Sequence, residues 1–190
     1  MADQLCTPED LAALLQKDLD AYLATMLVEC GTAVVQEAAG NQRIVQVVDD
    51  PGELMGTTDS WLQLPQLPVT AVSDVTIDGD ALTLGTDYKR FGSRLWRACG
   101  WASCWTEPSE ITFVTTHGYA DGAQELQFAR NATLSLIRTV YDNPTAYTRE
   151  AIDDYSVAFD AMSAAMEANP NLRAALLRRY GITAGIVRIG

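Results

Sequence analysis

The hydrophobic period changes twice along this 190-residue chain, and each change limits the folds open to it. Up to about residue 40, apolar side chains recur at helical spacing: Leu11, Leu14 and Leu15, then Tyr22, Leu23, Met26, Leu27, Cys30, Val34 and Val35. From about 43 to 117 the spacing shortens to alternation and turn residues multiply. From about 121 the helical spacing returns in Ala123, Leu126, Ala129, Ala132, Thr133, Leu136, Ile137 and Val140. The order helices, strands, helices predicts an α+β chain: mainly a helical bundle with a small antiparallel β insertion and an extended C-terminal arm. The expected organisation is one domain over 1–181, with helices about 8–40, the β insertion about 43–117 and helices about 121–181. Residues 182–190 form the arm.

Local signals place several element ends. In "CTPEDLAALL", Thr7 is an N-cap, Pro8 takes the first helical position and Asp10 completes a capping box. Asp18 or Asp20 caps the next helix, which ends near Gly40. Asp50-Pro51-Gly52 is read as a turn, and Asp78-Gly79 as the tip of a hairpin. Another helix can start at Thr148, with Glu150 in its first turn. Asn169 caps the last one, which begins with Pro170 and ends at Gly181.

The formal net charge of −12 argues against attraction to a nucleic-acid backbone, which requires cations to displace counterions. It is compatible with a wall that DNA slides past, since such a wall should not hold its cargo. The charge is uneven: Arg173, Arg178, Arg179 and Arg188 follow residue 171 with no acid among them. A basic tail on an acidic body is expected to meet an acidic surface. The β-prone end, with Ile182, Ile186, Val187 and Ile189, either completes another sheet or is a disordered terminus. The acidic N-terminal stretch does not read as a signal peptide, and no run of about 18 apolar residues predicts a membrane span.

Catalytic signals are weak. Glycine-rich phosphate loops and a nucleophile elbow are missing from the sequence. Cys6, Cys30, Cys99 and Cys104 lack zinc-site spacing, and one histidine cannot complete a common ligand set, so neither metal nor cofactor is expected. All four thiols are expected to stay free. The acidic pairs Asp49-Asp50 and Asp153-Asp154 read as turn and helix-start residues. Trp61, Trp96, Trp101 and Trp105 either pack a core or line a ligand groove, with packing the more economical reading. The lone histidine, in "FVTTHGYADG", falls where a strand meets the returning helix. His117, Gly118, Tyr119 and Asp121 are read as a structural joint. His117 makes local hydrogen bonds, Gly118 supplies unusual backbone angles, Tyr119 packs beneath, and Asp121 caps or favours the helix start.

Taken in order, "TPEDLAALL", "MLVECGTAVVQEAAG", "WLQLPQLPVTAVSDVTIDGDALTLGTDYKR", "RLWRACGW", "ITFVTTHGYADG", "NPTAYTREAIDDYSVAF" and "RRYGITAGIVRIG" extend over almost the whole chain. In that order the chain resembles the head-to-tail connector, or adaptor, proteins of long-tailed bacteriophages, particularly those of actinobacteria. The resemblance implies a non-enzymatic structural protein of the virion neck, assembled in the host cytoplasm. It implies a homo-oligomeric ring, usually of twelve copies, beneath the portal protein. The ring extends the DNA channel and meets a stopper or head-completion protein. It further implies that Arg178, Arg179, Ile182, Ile186, Val187, Arg188, Ile189 and Gly190 form a portal-docking arm. The alternatives are another neck protein, such as a stopper, or a small ligand-binding or enzymatic α+β domain using the tryptophan-rich sheet.

Overall fold

Thr7 begins the first helix by accepting a hydrogen bond from the Asp10 amide at 3.2 Å, while the Asp10 carboxylate accepts from the Thr7 amide at 3.0 Å. In the computed structural model, which describes residues 4–103, 107–142 and 155–182, that capping box opens one of two compact units. The first unit takes in residues 1–45 and 120–190, and the second takes in 46–119.

The helical unit contains α1 (Pro8–Leu15), α2 (Ala21–Ala38), α3 (Leu126–Tyr141), α4 (Tyr155–Glu167) and α5 (Pro170–Tyr180). Helix α2 is its axis and packs against each of the other four. Asp20 caps it, accepting from the amides of Tyr22 and Leu23. Its buried positions include Leu27, Val28, Cys30, Val34 and Val35, a wider stripe than one neighbour could cover. Gly31 lies within that stripe. A Cβ there would come 3.0–3.1 Å from Ile137 and Thr133 of α3, so the missing side chain lets the two helices approach closely. Asn169 caps α5 by accepting from the Leu172 amide at 3.2 Å, with Pro170 in the first turn.

The β unit has two antiparallel sheets. The larger has the order β1 (Val47–Met55), β7 (Glu110–His117), β3 (Val69–Ile77), β4 (Asp80–Ala81). The smaller has the order β2 (Trp61–Gln63), β6 (Arg94–Trp96), β5 (Lys89–Phe91). Along β7 the pleat is clean: Ile111, Phe113, Thr115 and His117 turn inward, and Thr112, Val114 and Thr116 turn outward. Leu62 and Leu95 of the small sheet join Val75, Ile77, Ile111 and Phe113 of the large one in a single core. Trp101 lies in that core, fully buried, with its ring 6.1 Å from that of Tyr88 and its indole N–H donating to the Ser60 carbonyl at 3.2 Å.

The expectation of a mainly helical bundle with a small β insertion is corrected by these elements. The protein is mixed α/β, with about 40% of the described residues helical and 25% in strands, and its β part is a separate unit with its own core. Strands of two or three residues, as in β2, β4, β5 and β6, are too short to show a period, so the sequence understates them. Asp50-Pro51-Gly52 is not a turn either: it runs through the middle of β1. An edge strand tolerates proline because only one side of it must supply ladder hydrogen bonds. Gly52 pairs with Phe113 and leaves its ring room that a side chain would occupy. The residues expected to begin a helix at Thr148, and the arm beyond residue 182, lie outside the described residues.

Candidate functional site

His117 ends β7 opposite Val47 of β1 and Val69 of β3, and its side chain is fully buried. Its Nε2 lies 2.9 Å from Oδ2 of Asp50, which a bulge in β1 brings into line. Asp49 marks that bulge with a φ of 53°. When the imidazole is neutral, a proton on Nε2 donated to Asp50 leaves only a lone pair at Nδ1. Nδ1 has no hydrogen-bond partner among the described residues, and a bare acceptor is the less costly nitrogen to bury unpaired. A histidine–aspartate pair is part of a nucleophile-activating relay. Here the second nitrogen is buried with no hydrogen-bond partner among the described residues, and the pair links β1 to β7.

Gly118 and Tyr119 belong to the β unit and Asp121 to the helical unit. Gly118 has a φ of 82°, and its amide donates to the Pro68 carbonyl at 2.9 Å. Tyr119 accepts from the Gln46 amide through its carbonyl, also at 2.9 Å. Asp121 makes no helix cap. Helix α3 starts later, after Glu125, and the Asp121 carboxylate instead receives the Arg130 guanidinium and the Gly122 amide. The Arg130 hydrogen bond, the Gly122 amide and the Arg130 charge hold that carboxyl below the ordinary range. In the β unit, Asp78 occupies the β3–β4 turn with a φ of 51°. It gathers the Ser103 hydroxyl and the Glu110 amide, which, the hydroxyl first, hold its carboxyl below the ordinary range. Both aspartates tie a turn to a neighbouring segment.

Of the arm residues, Arg178, Arg179 and Ile182 are described; Ile186, Val187, Arg188, Ile189 and Gly190 lie outside the described residues. Arg178 and Arg179 are exposed in the last turn of α5, where cations suit the helix dipole. The Arg179 guanidinium lies 5.4 Å from the Phe128 ring centre, and Ile182 is 41% exposed. Asp153, Asp154, Cys104 and Trp105 also lie outside the described residues.

The tryptophans separate into two roles. Trp101 packs the core. Trp61 is 49% exposed on the outside of the small sheet, beside Trp96 and the 55% exposed Phe91. Phe91, Lys89 and Arg94 complete that outer face, and sequence reading passes over them. Their strands, β5 and β6, are three residues long each, and only the cross-strand register shows which side chains share a face. Larger cavities are shallow. A groove of about 480 Å³ crosses the outer side of the large sheet, lined by Pro51, Glu53, Asp74, Thr76, Thr112 and Val114 among others. A cavity of about 50 Å³ between α2, α4 and α5 is large enough only for water.

Among the described residues no group of three or more histidine, cysteine or acidic side chains could hold a metal ion, and no helix is long and apolar enough to cross a membrane. Cys6, Cys30 and Cys99 are free thiols. Burial pushes the Cys6 thiol up to about 12, with a further rise from nearby Asp10, and burial pushes Cys30 up to about 11. Cys99 is exposed. Iodoacetamide at about pH 8 should therefore label Cys99 within minutes and leave Cys6 and Cys30 at least about tenfold slower, because the thiolate is the reactive species. Peptide mass spectrometry over a time course reads this directly, and equal rates at the three sites would contradict the burial. No family model matches the chain, and a search of curated proteins finds no relative for it.

Proposed function

We propose that this protein is a structural ring component of a bacteriophage neck, an adaptor that binds beneath the portal and extends the DNA channel toward the tail. The observation that carries this reading is the set of large apolar side chains left open on both units. On the helical unit these are Tyr22, Tyr155, Leu177 and Ile182, and on the β unit Trp61, Phe91 and Leu84. Scattered exposed apolar residues are ordinary on a monomer. An adjoining exposed aromatic pair in a chain with a net charge of −12 fits a protein completed by neighbours. The charge fits a channel wall that repels phosphate instead of binding it. In this reading Arg178, Arg179 and the residues from Ile182 onward reach the portal, with the arm adding main-chain hydrogen bonds to a portal sheet.

The test is sedimentation velocity and negative-stain imaging of the purified protein, alone and mixed with the cognate portal. Rings, formed alone or only on the portal, are the expected result. A protein that neither assembles nor binds portal rejects the proposal.

A further inference from the structure

The outer face of the small sheet has a composition unlike the acidic chain around it. Pairing places Trp61, Trp96 and Lys89 in one row across β2, β6 and β5, and Gln63, Arg94 and Phe91 in another. The row between them, Leu62, Leu95 and Arg90, turns inward. Both leucines are buried, and the Arg90 guanidinium donates to the carbonyls of Val69, Thr70 and Gly92. The six outward positions thus hold three aromatic rings, two cations, one amide and no carboxylate.

These side chains are already ordered by one another. The Trp61 and Phe91 rings meet edge to face with centres 5.5 Å apart. Lys89 Nζ lies 6.0 Å from the centre of the Trp96 ring, and Arg94 Nε donates to Gln63 Oε1 at 2.8 Å. Preordering reduces the entropy lost on docking, and tryptophan and arginine are the residue types that anchor interfaces.

On the other side of the same unit lies the groove of the large sheet. Glu53 and Asp74 line it, with Pro51 and Val114 as apolar floor and no cation. Since the inward faces of the two sheets share one core, their outer faces point in opposite directions. One is aromatic and cationic; the other is grooved and acidic. Complementary patches on opposite sides of one unit define a head-to-tail contact, which propagates and closes into a ring when its rotation permits.

We propose that the occupant of the aromatic–cationic face is the Glu53–Asp74 groove of a second copy of this chain. Trp61 and Phe91 enter the groove, and Lys89 and Arg94 face the two carboxylates. This names a subunit contact for the ring reading and rests on that reading only for closure of the ring.

A paired charge reversal tests it in the full-length protein. One variant carries Lys89→Glu and Arg94→Glu; the other carries Glu53→Lys and Asp74→Asn. Asparagine suits position 74 because its φ of 50° is in the left-handed region. Wild type should self-associate in sedimentation velocity at low salt and weaken as salt rises. Each variant alone should associate at least about tenfold more weakly with an unchanged circular dichroism spectrum. An equimolar mixture should regain assembly, because every contact in an alternating array then joins opposite charges. A wild type that stays monomeric at hundreds of micromolar overturns the proposal. So does either variant assembling like wild type, or a mixture that stays dissociated. Rings on the portal that survive both variants would remove this contact and leave the neck reading intact. Salt-sensitive, charge-complementary assembly without portal binding would do the reverse.

Discussion

Trp101→Ala should cost about 3–5 kcal/mol of stability, the range for removing a large aromatic side chain from a packed core. Trp101 is fully buried between the two sheets of the β unit, against Tyr88. Two backbone segments close on it. A Cβ at Gly56 would collide with the Trp101 carbonyl, and the Trp101 amide donates to Thr57 at 2.8 Å. These contacts fix the Trp101 backbone, so it cannot readily shift to fill the space, and a truncated residue leaves much of its volume empty. Trp101→Phe should cost less, about 1–2 kcal/mol, since it keeps an aromatic ring beside Tyr88 and loses mainly the indole hydrogen bond to Ser60. Urea unfolding followed by circular dichroism measures both. The large sheet should lose hydrogen-exchange protection in the alanine variant, because Ile111 and Phe113 share its core. A loss under about 1 kcal/mol for Trp101→Ala would contradict its place in the core.

The same residue shows where sequence reading reached and where it stopped. Tryptophans in a β region invite either a core or a groove, and composition cannot assign the individuals. Trp101 goes to the core and Trp61 to the outside because register and sheet stacking decide it, through contacts between residues far apart in the chain. Element ends behave differently. The Thr7–Asp10 box, the Asp20 and Asn169 caps and the Asp78-Gly79 turn are short-range chemistry, visible in a few consecutive residues. Where a local signal competed with tertiary pairing, pairing prevailed. Asp50-Pro51-Gly52 has the composition of a turn, yet it forms an edge strand because Gly52 accommodates Phe113 and Asp50 meets His117. Asp121 has the type and place of a helix cap, but Arg130 claims its carboxylate. That the histidine ends a strand could be read from its position. Its aspartate partner could not, because the two stand 67 positions apart in the chain and only a bulge brings them into line.

Gly31→Val should destabilise the helical unit by about 1–3 kcal/mol, the cost of overpacking a close helix contact. Two terms oppose each other at this position. Glycine inside a helix is about 1 kcal/mol worse than alanine, so intrinsic propensity favours replacement. Against that, a Cβ would stand 3.0 Å from Ile137 Cγ1 and 3.1 Å from both Ile137 Cδ1 and Thr133 Cγ2. These neighbours are side-chain atoms that can give by a few tenths of an ångström. Gly31→Ala should accordingly be near neutral, within about 1 kcal/mol either way. Valine adds two methyl groups at the same point, and its restricted χ1 in a helix limits where they can go. The decisive measurement is a double-mutant cycle with Ile137→Val. In wild type, removing that methyl from a fully buried isoleucine should cost about 0.5–1.5 kcal/mol. In the Gly31→Val background the same change removes Cδ1, one of the two Ile137 atoms in close contact, so it should cost less than in wild type. A difference in the cost of one substitution between two backgrounds is a direct measure of contact between the two helices. Equal costs in both would mean that α2 and α3 do not meet at Gly31.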